Sequence, residues 1–364
     1  MLEIAPNSNE VEVSLIGTGG GYGESIVLKL SKNDWIIIDS CINPKNKKPL
    51  PLEYLESINV HPENIKLIIC THWHDDHIKG LSNILYKSEN TSFVTSLVRD
   101  LKQFLLFISL DHQKSIKGGM RSTEEFGKCL QILNDRNKKI DYAIYNQLLY
   151  RNIEDKYTFE LYSLSPSPKT IDDFQGEIST LIDNYGKRSF RPTYNSPNEK
   201  SVALLLKFND QRIILGSDLE IGNNEEQGWL HIIKNSLVFD NEKAKIFKLP
   251  HHGSQNGYHK DLFDKYIDSN PILKLTPWNK NTILPTAEMI KIYNQHSNDI
   301  YITSKIISNS KPKKKDKSIE KIIKRFSISL NEVKYNKGII RSRIDYTNPE
   351  SNWNTEIFES AIKI

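Results

Sequence analysis

The sequence predicts a mixed α/β protein in which strands form a sandwich and helices cover it. Three observations lead there. Apolar runs of strand length recur along the 364-residue chain, helical spacing separates several of them, and one run after another stops at a polar residue able to do chemistry.

In order, Val11 to Ile16 and Ser25 to Leu30 alternate or cluster apolar residues as strands do, with a glycine-rich turn, Gly17 to Gly23, between them. That turn has neither the Gly-Lys-Ser/Thr of a phosphate loop nor the Gly-x-Gly-x-x-Gly of a dinucleotide fold, so it reads as a tight backbone turn. Trp35 to Ile38 forms a third strand and ends at Asp39; Leu67 to Cys70 forms a fourth and ends at Thr71 and the histidines, with helical Leu52 to Ile58 between them. From about 96 to 151 the spacing of Leu97, Leu101 and Leu105, then Phe126, Leu130 and Leu133, predicts a helical insertion broken near Lys117-Gly118-Gly119. Strands resume at Phe159 to Leu164, Ser201 to Phe208 and Arg212 to Leu215, the last running into Gly216-Ser217-Asp218. Ala244 to Leu249 stops at Pro250-His251-His252-Gly253-Ser254. Helices at Leu262 to Ile267 and Thr286 to His296, with strands at Ile272 to Leu275 and Ile300 to Thr303, complete a second α/β half. No repeat at a solenoid period is visible.

Beyond residue 304 the pattern weakens. Lys311 to Lys317 is nearly all lysine and reads as a solvated linker, a nucleic-acid contact or localisation signal being the alternative. Short apolar runs, Phe326 to Leu330 and Gly338 to Ile344, suggest an appended β element.

Composition narrows the function classes. With 49 Lys+Arg against 45 Asp+Glu the net charge is +4, so no global basic field argues for nucleic acid. Three scattered cysteines without a Cys-x-x-Cys indicate neither a disulfide framework nor a cysteine zinc site. No basic-then-apolar leader opens the chain and no apolar run approaches the roughly 20 residues of a membrane span. The expectation is a cytoplasmic protein.

The chemistry concentrates in Thr71-His72-Trp73-His74-Asp75-Asp76-His77, three histidines and two aspartates in seven residues after a buried strand. On extended backbone, side chains two apart point the same way, so His72 and His74 converge on one metal while Asp76 and His77 reach a second. Imidazoles and carboxylates suit Zn²⁺ or Mn²⁺, one ion or two, and a catalytic site of this kind lowers the pKa of bound water toward ~7. Asp218 and one of His251 and His252 complete the set, with His251, nearer its strand end, preferred as ligand and its neighbour facing substrate. Asp39 is expected to orient a ligand histidine. Ser254 lacks the Gly-x-Ser-x-Gly context of a serine nucleophile, and Cys41 reads as a small buried residue.

This His-x-His-x-Asp-His run, preceded by Asp39 and followed by Asp218 and His251, resembles the metallo-β-lactamase superfamily. More narrowly, Gly21-Tyr22-Gly23-Glu24-Ser25, Asn198-Glu199-Lys200-Ser201-Val202, Gly216-Ser217-Asp218-Leu219-Glu220 and Pro250-His251-His252-Gly253-Ser254 are similar to motifs of the soluble hydrolase domain of ComEC DNA-uptake proteins. The resemblance implies a four-layer αββα sandwich with metals at the edge where strand ends meet. It implies a hydrolase domain over residues 11–304, the helical insertion included, with a basic linker and C-terminal extension over 305–364. It also places Asn198 and Ser201 beside the ligands. One departure stands out: most superfamily hydrolases carry a further ligand histidine before the later aspartate, and the segment around Asn198 to Ser201 has none. His112, in the insertion, is a substitute ligand or a solvent-facing residue.

The expected function is metal-dependent phosphodiester hydrolysis by a metal-bound hydroxide, on nucleic acid or a nucleotide-like substrate. Asp76 is expected at the catalytic centre, with His252 or Lys200 contacting phosphate. Hydrolysis of another ester, thioester, lactone or β-lactam is the second enzyme reading, and a silent regulatory binding module the reading of another class. Protein partners are expected from a bacterial nucleic-acid-processing or defence system.

Overall fold

The computed structural model describes residues 4–21, 23–96, 103, 106, 121–184, 197–279, 282–306 and 335–364. The Lys311 to Lys317 run, Phe326 to Leu330 and His112 lie outside them.

The first sheet begins with β1 (Glu10–Gly17), β2 (Glu24–Lys29) and β3 (Trp35–Ile38). Helix α1 (Leu50–Ser57) then crosses to β4 (Ile65–Cys70), which the short α2 (Asp75–Ile78) and α3 (Leu81–Lys87) connect to β5 (Ser92–Ser96). Helix α4 (Arg121–Asp135) and β6 (Asp141–Ala143) follow. The second sheet opens with β7 (Gln147–Glu154) and β8 (Tyr157–Ser163) and continues, after α5 (Pro168–Asp183), through β9 (Leu204–Phe208) and β10 (Gln211–Leu215). Then come α6 (Gly228–Asn235), β11 (Ala244–Lys248), α7 (Lys260–Tyr266), β12 (Ile267–Leu275), a small ribbon of β13 (Trp278–Asn279) and β14 (Ile283–Leu284), α8 (Ala287–Tyr293) and β15 (Asp299–Ile302). The chain closes with β16 (Gly338–Asp345), β17 (Asn354–Glu359) and β18 (Ile362–Lys363).

Two eight-stranded sheets result, in the orders β17-β16-β1-β2-β3-β4-β5-β6 and β18-β15-β12-β11-β10-β9-β8-β7. Strand alternation explains how they stack. Ile36 and Ile38 of β3, Leu67 and Ile69 of β4, Leu204 and Leu206 of β9, and Ile213 and Leu215 of β10 share one core between the sheets. The opposite phases, Trp35, Ile37, Ile68 and Cys70, pack beneath helical residues such as Leu55, Leu85, Phe126 and Phe174. Leu205, Ile214 and Phe247 likewise meet Trp229, Leu262 and Tyr293. Three cores separate four layers, the αββα sandwich.

Two expectations change. Helical character does not continue to residue 151: β6 joins the first sheet beside β5, and β7 pairs antiparallel with β8. The side chains of β7 alternate between half-buried and exposed over most of its length, the period of a strand at a sheet edge. The β character after residue 338 is woven into the sandwich rather than set beside it, because β16 lies between β1 and β17 while β18 extends the second sheet from β15. Helix α5, not anticipated above although Ile171, Phe174, Ile178 and Ile182 recur at helical spacing, starts at Pro168 with the Ser167 hydroxyl accepting from the Thr170 N–H. Among the described residues no helix is long and apolar enough to cross a membrane.

Candidate metal centre

Strands β3 and β4 run parallel in one sheet, and β10, β11 and β12 in the other, so their C-terminal ends can deliver Asp39, Thr71, Asp218, His252 and Thr276 to one rim. The two edges are joined where the Ser217 hydroxyl donates to Thr71 Oγ1 at 2.8 Å. Backbone conformations unusual for non-glycine residues gather here: φ is +59° at Asp39, +45° at Ser217, +46° at His251 and +57° at His252. Gly23 is required nearby, since a Cβ on it would lie 2.3 Å from that of Cys41.

Proton accounting fixes the rings. Thr71 has one hydroxyl proton and donates it to Asp39 Oδ2 at 2.7 Å, so toward His72 Nδ1, 3.0 Å away, it must accept. His77 Nδ1 donates to Asp39 Oδ2 at 2.8 Å, and His252 Nδ1 to the Thr276 carbonyl at 3.1 Å. In all three imidazoles Nδ1 is thus spent on an internal acceptor, leaving Nε2 to face inward. From Asp218 Oδ2 those Nε2 atoms lie 4.0 Å (His72), 3.4 Å (His77) and 3.8 Å (His252) away. Asp76 Oδ2 is 3.8 Å from both His77 Nε2 and His252 Nε2. His72 Nε2, His77 Nε2 and Asp218 Oδ1 are buried with no hydrogen-bond partner among the described residues. Orphaned polar atoms at such depth are costly, and a divalent cation would satisfy these. The donor set therefore fits a metal.

Electrostatics agree. Burial works to raise the Asp218 carboxyl, yet His77 and His252, with Lys248 behind them, hold it well below the usual carboxylate range. Burial works against a charged His77, but Asp218 and Asp39 raise it well above an ordinary histidine, so a cation must displace its proton. Burial, with the neighbouring imidazoles, pushes His72 down, and burial also lowers His74. Burial raises the Asp39 carboxyl against the opposing pull of His77 and Thr71.

The other expected residues fall as follows. His74 stands half-buried at the residue before α2, its ring 4.9 Å from that of His72. Of the paired histidines, two successive left-handed residues turn His252 inward, buried, while His251, the one preferred above as ligand, stays on the rim. There His251 Nδ1 lies 3.3 Å from Glu220 Oε1, and Nε2 lies 3.1 Å from Asn198 Nδ2. Ser201 is buried and its backbone N–H donates to the Asn198 carbonyl. Lys200 is turned away to Glu177, at 2.9 Å, and over the Phe174 ring.

Glu24, Lys248 and Thr276 were not anticipated at the centre, although two of them carried a signal. Glu24 shares the inward phase of Ile26 and Leu28, and Lys248 that of Ile246, so each puts a charge where its strand otherwise buries an aliphatic side chain. Two donor groups, Asp39 with His72 and His77, and Glu24 with His77 and Asp218, each bring one atom per residue within 4.8 Å of the others.

The family profile described as the metallo-beta-lactamase superfamily matches residues 18–265. The chain belongs to that superfamily, a class of metallo-hydrolases that bind divalent metals, usually zinc. Among solved structures it is similar to the metallo-beta-lactamase fold protein YhfI from Bacillus subtilis, at 11% identity over 82% of this chain and 98% of that one, with a TM-score of 0.38. It is similar to human tRNase Z, short form, at 13% identity over 65% and 76%, TM-score 0.31. MEM-A1, a subclass B3 metallo-beta-lactamase from a soil metagenome, matches at 10% identity over 70% and 83%, TM-score 0.34. No curated protein sequence matches the chain significantly.

Proposed function

We propose that this chain is a metal-dependent phosphodiesterase acting on nucleic acid or a nucleotide-like substrate. The observation that carries the metal chemistry is the convergence of three imidazole Nε2 atoms, each with Nδ1 already engaged, on buried Asp218. His72 and His74 would hold one Zn²⁺ or Mn²⁺ ion, and Asp76, His77, Asp218 and His252 a second. When bound, such ions supply Lewis acidity and water activation at neutral pH.

The chain's own residues do the rest. Asp39 holds the His77 ring by its Nδ1–H and the His72 ring through Thr71. Asp218 sits against both groups of donors. His251, set on the rim beside Glu220, faces substrate. The choice of a phosphodiester is supported by the resemblance of the glycine turn, the Asn198 segment and the paired-histidine turn to the ComEC hydrolase domain. The same likeness favours partners from a bacterial nucleic-acid-processing or defence system.

A second reading, hydrolysis of another ester, thioester, lactone or β-lactam, is favoured by one observation: the Lys200 ammonium expected to meet phosphate is spent on Glu177. The deciding experiment incubates the purified protein with labelled single-stranded DNA, duplex DNA and RNA in Mn²⁺ or Zn²⁺ beside Asp76→Ala. Cleavage lost in the variant supports the phosphodiesterase. Bound metal without cleavage of any polymer leaves a small nucleotide-like phosphodiester or the second reading, which a cyclic dinucleotide assayed beside a carboxylic ester then separates.

A further inference from the structure

Beneath the donors lies a buried ion pair for which metal binding alone gives no reason. Lys248 is 1% exposed and Glu24 3% exposed, and the ammonium meets Glu24 Oε1 directly. Burying such a pair costs about as much as it returns unless its remaining hydrogen bonds are made. Here they are made toward the site. Lys248 Nζ donates to the Ser217 carbonyl at 2.8 Å and stands 3.9 Å from Asp218 Oδ1. The other Glu24 oxygen accepts the Thr276 hydroxyl proton. With that proton committed, Thr276 Oγ1 can only accept from His252 Nδ1, 3.3 Å away, as its carbonyl does at 3.1 Å.

The arrangement repeats the one on the other side of the site. Asp39, Thr71 and His72 form a carboxylate, a threonine and a histidine in series; Glu24, Thr276 and His252 form another. In each, a buried carboxylate orients the hydroxyl, the hydroxyl accepts from the ring Nδ1, for His252 together with the Thr276 carbonyl, and Nε2 is left facing Asp218.

We propose that Lys248, Glu24 and Thr276 are positioning residues that together fix His252 and Asp218 for metal. The proposal rests on the metal-site reading above but not on any substrate. Both Glu24 oxygens are engaged within the relay, so its carboxylate serves as an anchor.

The test is titration of the purified protein with Zn²⁺ and with Mn²⁺ against a chromophoric chelator, thermal melting being followed in parallel. Thr276→Val keeps the shape and both charges but removes the hydroxyl; it should melt cooperatively and bind metal about 10–100-fold more weakly. Thr276→Ser restores the hydroxyl and should restore affinity. Wild-type affinity in Thr276→Val, or a serine variant as weak as the valine one, overturns the relay. Should Thr276→Val fail to fold, Lys248→Met combined with Glu24→Gln leaves no unpaired charge: weakened binding supports the relay and unchanged binding overturns it. A wild-type protein that takes up neither ion sinks the hydrolase reading together with the relay, whereas equal binding by wild type and Thr276→Val sinks the relay alone.

Discussion

The two sides of the candidate metal centre are built differently. On the side of the first sheet, His72, His74, Asp76 and His77 come from one short segment after β4, steadied by Asp39 at the end of the neighbouring strand. On the side of the second sheet, Asp218 follows β10, His252 follows β11 and Thr276 follows β12, with Lys248 at the end of β11 reaching across to Glu24 of the first sheet. Local chain geometry organises the first side. The second exists only while the two sheets are packed, so its geometry is tied to the stability of the sandwich.

The largest effect should come from removing the residue common to both sides. Asp218→Ala is expected to lose turnover and weaken metal binding by more than about 100-fold, since groups behind metal ligands are themselves worth 10–100-fold. Metal analysis beside circular dichroism checks that the fold survives, and retained activity would refute the assignment.

Next, the two anchoring carboxylates can be compared through their partners. Lys248→Met alone strands Glu24 as an unpaired buried charge and should cost about 3–5 kcal/mol of stability, read by chemical denaturation. Asp39→Asn should instead leave the sandwich standing and lower metal affinity about 10–100-fold, because an amide still occupies the space but no longer holds His77 in one tautomer. Equal stability losses would mean that the two sides do not differ as described.

The paired histidines sharpen the same contrast. His252→Ala should weaken metal uptake, while His251→Ala should leave it unchanged and alter KM or kcat for the substrate. The reverse pattern would return the ligand role to His251.

The smallest effect concerns the cement between the sheets. Lys274 of β12 is 1% exposed and donates to the Val13 carbonyl at 2.7 Å and the Ile340 carbonyl at 3.3 Å, both in the first sheet. Burial lowers its pKa from 10.5 to about 7. The unfolded chain therefore binds the proton more tightly, so the cost of burying this group is full below about pH 7 and fades as pH rises toward 10.5. Between pH 7 and 9 the wild type should gain on the order of 2 kcal/mol relative to Lys274→Met. Parallel pH profiles of the two proteins would exclude Lys274 as the cause.

How much was legible in the sequence follows from the range of each interaction. The strand runs at Val11, Trp35, Leu67, Arg212 and Ala244 were readable because alternation and apolar length are local properties, and so was the His72 to His77 cluster, whose density is visible within one turn. Helix α5 was legible but unread: Ser167-Pro168 marks its start, and Ile171, Phe174, Ile178 and Ile182 follow at helical spacing to face the core. The strands at 141–154 were hidden behind a helical pattern that ends at α4.

By itself, the sequence determined the sandwich class, the strand ends that carry chemistry and the histidine and aspartate types that gather there. Only the tertiary structure decided which of two adjacent histidines turns inward, because that depends on left-handed φ values at His251 and His252 held by contacts from Ser217 and Thr276. It alone decided that Glu24 meets Lys248, residues more than two hundred positions apart whose charges survive burial only because packing the two sheets brings them together.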